Sequence, residues 1–150
     1  MRSPTFDTFN EKWAERMIGR ISRKGIDSYL NLKITSIEPG RLVCEMPVVD
    51  EIITNIGNMH GGCLSVLCDH VLGTIMYPVM PAGYWAATTE FKVNLLAPVS
   101  KGLCVATGEI MSMSKRMAVV QIQVENEGRL VALAQGTSTI VPPKPKPMPT

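Results

Sequence analysis

The sequence predicts an α+β fold in which a curved antiparallel sheet wraps around one long central helix, with an extra helix at the N-terminus. Three observations predict it. One continuous apolar stretch, residues 61–80, has the length of a buried helix. Six shorter runs rich in β-forming residues lie on either side of it. Ahead of them all, apolar side chains recur at helical spacing near the N-terminus.

The first predicted element is an amphipathic helix over residues 5–23. Five apolar side chains recur at intervals of three and four residues, which is the spacing of one helix face. They are Phe6, Phe9, Trp13, Met17 and Ile21. Asp7 near the start and Arg20 near the end match the helix dipole, and Gly25 is a stop signal.

Two predicted strands follow, residues 30–37 and 41–47, and Pro39 with Gly40 predicts the turn between them. After the central helix come four more predicted strands: residues 85–96, 103–113, 116–126 and 130–141. Residues 126–129 have the composition of a hairpin turn between the last two. These strands are expected to pair antiparallel, because short connections join them.

The central helix, residues 61–80, is apolar on nearly every side, so most of its surface must be covered. A strongly curved antiparallel sheet folded around it is the economical solution, and that arrangement is the hotdog architecture. The predicted domain covers residues 1–141. Residues 142–150 alternate proline with lysine, cannot pair into a sheet, and are predicted to form a mobile tail.

Composition narrows the function. A chain of 150 residues fits one domain, and a net charge of +2 from 15 basic and 13 acidic residues gives no overall preference for nucleic acid or an anionic membrane. No apolar leader segment is visible, and Asp69 and His70 interrupt the longest apolar stretch, so no membrane span is predicted. The expected location is the cytoplasm.

The four cysteines are scattered through apolar segments without a C-x-x-C pair, so buried reduced thiols are expected. Cys68, Asp69 and His70 are consecutive, but consecutive helix residues point about 100° apart and cannot converge on one ion. No metal site is therefore predicted.

The most informative chemistry lies where the central helix begins. Gly61 and Gly62 leave bare backbone N–H groups at the positive end of the helix dipole, where a negative oxygen can be held. Asp69 follows eight residues later, amid apolar neighbours. An oxyanion-binding amide together with a carboxylate points to acyl chemistry. The alternatives are a structural carboxylate at Asp69 and a glycine pair that only permits close packing.

Several motifs together resemble the hotdog acyl-CoA thioesterases of the phenylacetate-degradation and human-thioesterase-superfamily type. The resemblance covers residues 55–141. It includes the segment 57–62 (GNMHGG), then Asp69, then the strand 88–98 (TTEFKVNLLAP). The segments 114–118 (SKRMA) and 134–137 (AQGT) complete it.

The resemblance implies roles for individual residues. Gly61 corresponds to the residue whose N–H polarises the thioester carbonyl, and Asp69 to the nucleophile or general base. Thr88 falls where the family often places Ser or Thr near the water or the carboxylate. His60 corresponds to the histidine that supports the carbonyl-binding loop, and a capping role is favoured over a proton shuttle.

The chain departs from the family pattern at one position. The family commonly has asparagine six residues before the histidine, where this chain has Thr54. Asn55 and Asn58 are the candidate replacements for positioning the attacking water or the thioester sulfur. Lys115 and Arg116, two cations beside a turn, are the candidates for binding the CoA phosphates, and Gly62 is assigned to CoA binding with them. CoA enters as part of the substrate, and no separate cofactor is expected.

Helix geometry predicts a shared site. Eight residues at 1.5 Å each separate Gly61 from Asp69 by about 12 Å, whereas a base must lie roughly 3 Å from the atom on which it acts. If both act on one carbonyl, Asp69 must come from a second copy with antiparallel central helices. A homodimer is therefore predicted, and the resemblance implies the same dimer and its pairing into a tetramer.

Two other functions remain open at this point. One is hydration or dehydration of an acyl thioester, for which Asp50, Asn55 and His60 loosely match an acid-to-histidine arrangement. The other is an acyl-CoA-binding protein without turnover.

Overall fold

The computed structural model describes residues 4–20 and 24–144. Six strands form one antiparallel sheet in the order β1-β2-β4-β5-β6-β3. The strands are β1 (Lys33–Glu38), β2 (Arg41–Pro47), β3 (Trp85–Leu95), β4 (Leu103–Met113), β5 (Met117–Asn126) and β6 (Arg129–Val141). The helices are α1 (Glu11–Met17), α2 (Ile26–Tyr29) and α3 (Gly61–Thr74), with a 3₁₀ turn at Asp50–Ile52. The predicted α+β class, with a curved sheet around a central helix, is confirmed.

The central helix α3 packs against five of the six strands, β2 to β6. Its buried face consists of Leu64, Leu67, Cys68, Val71 and Leu72. Glycines in the sheet let the helix approach closely. A Cβ at Gly108 would stand 2.5 Å from Val71, and one at Gly136 would stand 2.6 Å from Leu72. Because glycine has no Cβ, these two positions of the sheet leave the space that the helix side chains occupy.

The last four strands agree with the sequence prediction to within one residue at each end. The β5–β6 connection is a two-residue hairpin in which Glu127 and Gly128 have φ of 50° and 77°. Positive φ at both central residues is the geometry of a type I′ turn, whose twist matches that of the flanking strands. Alternating burial along β5 also confirms its predicted wet face.

The predicted N-terminal helix over residues 5–23 is wrong in its extent. Residues 4–10 are not helical, and α1 begins after Asn10, whose side chain caps it by accepting from the Trp13 N–H. The Asn10 N–H itself donates to the Pro78 carbonyl at 2.7 Å, which pins the preceding segment in place. The helix ends at Met17, because Ile18 is already extended with ψ of 129°, and Gly19 follows with φ of 70°. Residues 21–23 of the prediction lie outside the described residues.

The predicted central helix over residues 61–80 is too long, because α3 ends at Thr74. Pro78 explains the end: it has no N–H to donate, and its ring would clash with the carbonyl four residues earlier, that of Thr74. Residues 75–79 continue as turns.

The first predicted strand, residues 30–37, is displaced towards the C-terminus. The preceding residues form α2 instead, and Asn31, with φ of 52°, separates it from β1. Leu30 and Leu32 are nevertheless buried, so the apolar pattern predicted burial and not conformation.

None of the helices in the described part of the chain has the length and hydrophobicity needed to cross a bilayer. Residues 142–144 of the predicted tail have no regular secondary structure, and residues 145–150 lie outside the described residues.

Candidate active site

The start of α3 is closed by the side chain of His60. Its Nδ1 accepts a hydrogen bond from the Gly62 N–H at 2.9 Å, while its own backbone N–H donates to the Ile52 carbonyl. A Cβ at Gly62 would stand 2.9 Å from that ring nitrogen, so the cap requires glycine there. His60 is therefore the N-cap of α3, as the sequence favoured. The Gly62 amide is engaged by this cap and is not a free donor in the single chain.

Gly61 supplies the other glycine amide at this helix start. Within residues 4–20 and 24–144, no acceptor engages its N–H. A Cβ at Gly61 would stand 2.5 Å from Cδ1 of Leu95, at the end of β3. The amide therefore lies beside an apolar side chain at the positive end of the helix dipole, which is a suitable place for a developing oxyanion.

The loop before His60 is held by Thr54. The Thr54 hydroxyl donates to the Asn58 carbonyl at 2.7 Å, and the Thr54 N–H donates to the same oxygen at 2.8 Å. Gly57, with φ of 83°, makes the turn between them. Asn55 is exposed on this turn. In the single chain, Thr54 forms hydrogen bonds within its own loop, and Asn55 is exposed to solvent.

Asp69 and Thr88 line one cavity of about 260 Å³. The cavity lies between α2, the second half of α3 and strand β3. Its wall consists of Ile26, Asp27, Val66, Asp69, His70, Gly73, Thr74, Tyr77 and Thr88. The sequence predicted that Asp69 and Thr88 belong to one site, and the structure brings these two together.

A β-bulge lies beside Thr88. The register between β3 and β6 shifts between Thr88 and Glu90, so Thr89 is the extra residue. The Thr89 hydroxyl donates to the Thr137 carbonyl at 2.9 Å, which ties the bulge to β6. Bulges often re-aim a neighbouring side chain next to a functional site, and here Thr88 Oγ1 stands 3.9 Å from where a Cβ on Gly73 would be.

Gly61 and His60 do not line the cavity that contains Asp69. The two parts of the predicted site lie on the same helix, about 12 Å apart along its axis. Asp69 is exposed in the single chain. Gly62, nearer the N-terminus of the same helix, is exposed as well. One chain therefore carries both the Gly61 amide and the Asp69 carboxylate, but it does not bring them close enough to act on the same atom.

Lys115 and Arg116 lie on the β4–β5 turn, at the opposite end of the sheet from Gly61. The side chain of Ser114 orders this turn by accepting from the backbone N–H groups of Arg116 and Met117 at 3.2 Å each. Both cations are exposed. In register, Met117 lies opposite Thr139 near one end of β6, whereas Leu95, which covers Gly61, lies opposite Ala132 near the other.

The sequence prediction missed two residues of the cavity wall. Nδ1 of His70 lies 3.3 Å from Oδ1 of Asp27, and both side chains line the cavity beside Asp69. The sequence prediction used His70 only as an interruption of the apolar stretch and as part of a rejected metal motif. Asp27 lies on α2, a helix that was not predicted.

A cysteine nucleophile next to Asp69 is not supported by the environment of Cys68. Burial, with a smaller contribution from the Asp69 carboxylate, raises the pKa of the Cys68 thiol to about 12. The thiolate, which is the reactive form, is therefore strongly disfavoured.

Comparison with known proteins gives consistent results. The sequence model of the thioesterase superfamily matches residues 56–133, slightly more than half of the 150 residues. A protein of Saccharolobus solfataricus whose name assigns it provisionally to the esterases is 31% identical over 75% of this chain and 80% of its own length. Human acyl-coenzyme A thioesterase 13 is 25% identical over 83% of this chain and 81% of its own length.

Solved structures share the fold. The crystal structure of a thioesterase from Haemophilus influenzae superimposes with a TM-score of 0.79 and covers 97% of both chains, at 18% identity. At that identity the likeness speaks for the architecture alone.

Proposed function

This chain belongs to the thioesterase superfamily, whose members hydrolyse thioesters, and we propose that its reaction is the hydrolysis of an acyl-CoA thioester at a site shared by two copies of the chain. One observation carries the proposal. The free Gly61 amide and the Asp69 carboxylate lie on one helix, too far apart to act on the same carbonyl from within one chain.

The first step is binding of the thioester carbonyl oxygen to the Gly61 N–H. Because His60 already engages the Gly62 amide, the neighbouring Gly61 amide is the glycine N–H of this helix start that remains free within the described residues. The helix dipole adds to its positive potential. The interaction strengthens as negative charge builds on the oxygen, so it stabilises the transition state more than the bound substrate.

The second step is attack driven by Asp69 of the partner subunit. In one route the carboxylate takes a proton from water as the water oxygen bonds to the carbonyl carbon. In the other route the carboxylate oxygen attacks directly, and water then hydrolyses the acyl-enzyme anhydride. In both routes the carbon–sulfur bond breaks and CoA leaves as the thiolate. Thr88, in the same cavity as Asp69, is proposed to orient the water through its hydroxyl.

The surface of the single chain supports pairing with a second copy. The face of α3 that carries Gly62 and Asp69 is exposed. Beside it, β3 is an edge strand with β6 as its neighbour within the described chain, and many of its side chains are exposed. Antiparallel packing of two such helices across a two-fold axis would bring Asp69 of each copy towards Gly61 of the other. Pairing of two dimers into a tetramer remains a prediction from the family resemblance.

The position of the basic turn fits the same dimer. Strand β3 runs for 11 residues between the end near Lys115 and the end near Gly61, a length of about 35 Å at 3.3 Å per residue. An antiparallel dimer would place the turn of one copy at the end where the other copy carries Gly61. We propose that Lys115 and Arg116 bind the CoA phosphates from there.

A subunit-mixing experiment tests the shared site. Two inactive variants, Asp69→Asn and Gly61→Pro, are unfolded together and refolded as a mixture, and release of free CoA thiol is measured on a panel of acyl-CoA substrates. Random reassortment gives mixed dimers that contain one intact site each, so the mixture should recover about one quarter of the wild-type rate.

The control is each variant refolded alone, which should stay inactive. A site contained within one chain predicts no recovery in the mixture, and that result would overturn the proposal. Release of thiol by the wild-type protein tests the thioesterase activity separately, and hydration of crotonyl-CoA in place of hydrolysis would point to the hydratase alternative.

A further inference from the structure

We propose that Ser138 is a positioning residue for Thr88. Its buried hydroxyl accepts the hydrogen of the Thr88 hydroxyl during the reaction, so that Thr88 turns a lone pair towards the attacking water. The inference rests on the proposed function, because it concerns the water of that same site.

The first observation is an unsatisfied hydroxyl in the core. Ser138 on β6 is fully buried, and its Oγ has no hydrogen-bond partner within the described residues. Such a hydroxyl costs free energy, and alanine at this position would avoid the cost. The other buried positions on the same face of this strand are apolar, namely Ala134, Gly136 and Ile140. Packing alone therefore does not account for the hydroxyl.

The second observation is the position of this hydroxyl relative to the cavity that contains Asp69. In the pairing of β3 with β6, Thr88 lies directly opposite Ser138, and Phe91 lies opposite Gly136. A regular strand would place Thr89 opposite Ser138 and turn Thr88 to the outer face, because side chains alternate between faces. The bulge at Thr89 therefore brings Thr88 onto the inner face, opposite Ser138.

The third observation is that the two hydroxyls are within reach of each other. Residues directly opposite on one face of an antiparallel pair have Cβ atoms about 5 Å apart, and threonine and serine at this spacing can form a hydrogen bond across the strands. Thr88 Oγ1 stands 3.9 Å from where a Cβ on Gly73 would be. Because glycine has no side chain, Gly73 leaves Thr88 free to change rotamer between the cavity and Ser138.

The direction of the hydrogen bonds gives the pair its function. When Asp69 acts as the base, the water gives one hydrogen to the carboxylate while its oxygen attacks the carbonyl carbon. A Thr88 hydroxyl that donated to this oxygen would draw electron density away from the attacking atom. Thr88 therefore has to accept the second hydrogen of the water, and its own hydrogen then needs another acceptor. Ser138 Oγ, which no group engages within the described residues, is that acceptor.

The same orientation serves the route through an acyl-enzyme anhydride. There Asp69 attacks first, and a water oxygen then attacks a carbonyl carbon of the anhydride. That water also needs its oxygen free of a donor. The role of Ser138 is therefore the same in both routes.

The first test compares two alanine variants of β6. The kcat and KM of thiol release are measured on the acyl-CoA that the wild type hydrolyses fastest. Ser138→Ala should lower kcat by roughly 3- to 10-fold, which corresponds to one hydrogen bond, and should leave KM within about twofold. Thr139→Ala is the matched control, because the next residue along the strand points to the opposite face. It should leave both constants unchanged.

A double-mutant cycle shows whether Ser138 acts through Thr88. Thr88→Val removes the hydroxyl while nearly keeping the size of the side chain, and it should lower kcat more than Ser138→Ala does. Once the Thr88 hydroxyl is gone, Ser138 has nothing to orient, so adding Ser138→Ala should cause no further loss. Losses that add in the double variant would overturn the proposal.

Urea unfolding of each variant separates positioning from a structural role. The free energy of unfolding should not fall in Ser138→Ala, because the hydroxyl has no partner in the single chain as the structure describes it. A lower kcat accompanied by lower stability would assign Ser138 a structural role and overturn the proposal.

The outcomes also separate this inference from the proposed function. If the wild type releases thiol, Thr88→Val is impaired and Ser138→Ala keeps the wild-type kcat, the role of Ser138 is overturned and the thioesterase proposal stands. A wild-type protein that releases no thiol from any acyl-CoA overturns both.

Discussion

Nδ1 of His60 lies 2.9 Å from the amide nitrogen of Gly62 and accepts its hydrogen. This contact holds the first turn of α3 and gives the two neighbouring glycine amides different roles. The Gly62 amide completes the helix cap, and the Gly61 amide remains available to a ligand.

Replacing Gly61 with proline should remove the free amide while keeping the helix. Proline is well tolerated at the first helical position, and His60, with φ of −61° and ψ of 126°, already has the extended backbone that a residue before proline prefers. Loss of one oxyanion donor should lower kcat by roughly 10²- to 10³-fold.

Gly61→Ala is the matched control for that variant. It keeps the N–H and introduces the same Cβ, which in both variants must displace the flexible end of Leu95. The alanine variant should therefore retain far more activity than the proline variant. Equal losses in the two would mean that crowding against Leu95, and not the amide, matters.

Asp69→Asn should lower kcat by roughly 10²- to 10⁴-fold, because the amide can neither accept the proton of water nor attack the carbonyl. The side chain is exposed in the single chain, so the free energy of unfolding should change by less than about 0.5 kcal/mol. Glu125→Gln, on the exposed face of β5, is the control and should leave turnover unchanged. Wild-type turnover in the Asp69 variant would exclude the carboxylate from the reaction.

Lys115→Ala and Arg116→Ala should raise KM for acyl-CoA and leave kcat nearly unchanged, because charge pairing with phosphate contributes equally to the bound substrate and the transition state. The measurement is KM for acyl-CoA against KM for the same acyl group on pantetheine, which lacks the nucleotide. A similar rise for both substrates would argue against phosphate binding by this turn. Raising the salt concentration should have the same effect on the wild-type protein.

The cysteines should be nearly unreactive in the folded protein. Burial raises the pKa of the Cys44 and Cys68 thiols to about 12 and that of Cys104 to about 11. At pH 8 a thiol with a pKa of 12 is a thiolate in about one molecule in 10⁴. An aromatic disulfide reagent should therefore titrate at most the less buried Cys63 rapidly, and all four after unfolding. Rapid labelling of three or four thiols in the native protein would contradict the burial pattern.

Ser138→Ala should stabilise the protein. The Ser138 hydroxyl is fully buried on β6 and has no hydrogen-bond partner within the described residues. Removing an unsatisfied buried hydroxyl relieves its desolvation cost, so the free energy of unfolding should rise by about 1 kcal/mol, as measured by urea denaturation. Ser114→Ala is the contrasting control, since its hydroxyl accepts two backbone N–H groups and its loss should destabilise the β4–β5 turn.

Local signals predicted five of the six strands and the start of α3 well. The glycine pair after His60 and the turn at residues 126–129 each specify a local geometry, and the structure has both. The end of α3 was also encoded locally, by Pro78, but the apolar run beyond it outweighed that signal in the prediction.

Other features depended on contacts distant in sequence. Asn10 starts α1 where it does partly because its N–H meets the Pro78 carbonyl, and no pattern within the first 23 residues contains that information. The His70–Asp27 contact joins α3 to a short helix that the sequence did not predict. Contacts between side chains of different helices and strands can be identified only when the positions of those helices and strands in the fold are known.

The free edge of β3 has a consequence for handling the protein. In the single chain, as far as the structure describes it, this 11-residue strand pairs with β6 alone, so its other side carries unpaired backbone groups and exposed side chains such as Trp85. Such a ladder is a template on which another extended peptide can assemble, and the charges of Glu90 and Lys92 only partly discourage this. Variants that weaken the packing around this edge should therefore be lost to precipitation before they lose their secondary structure.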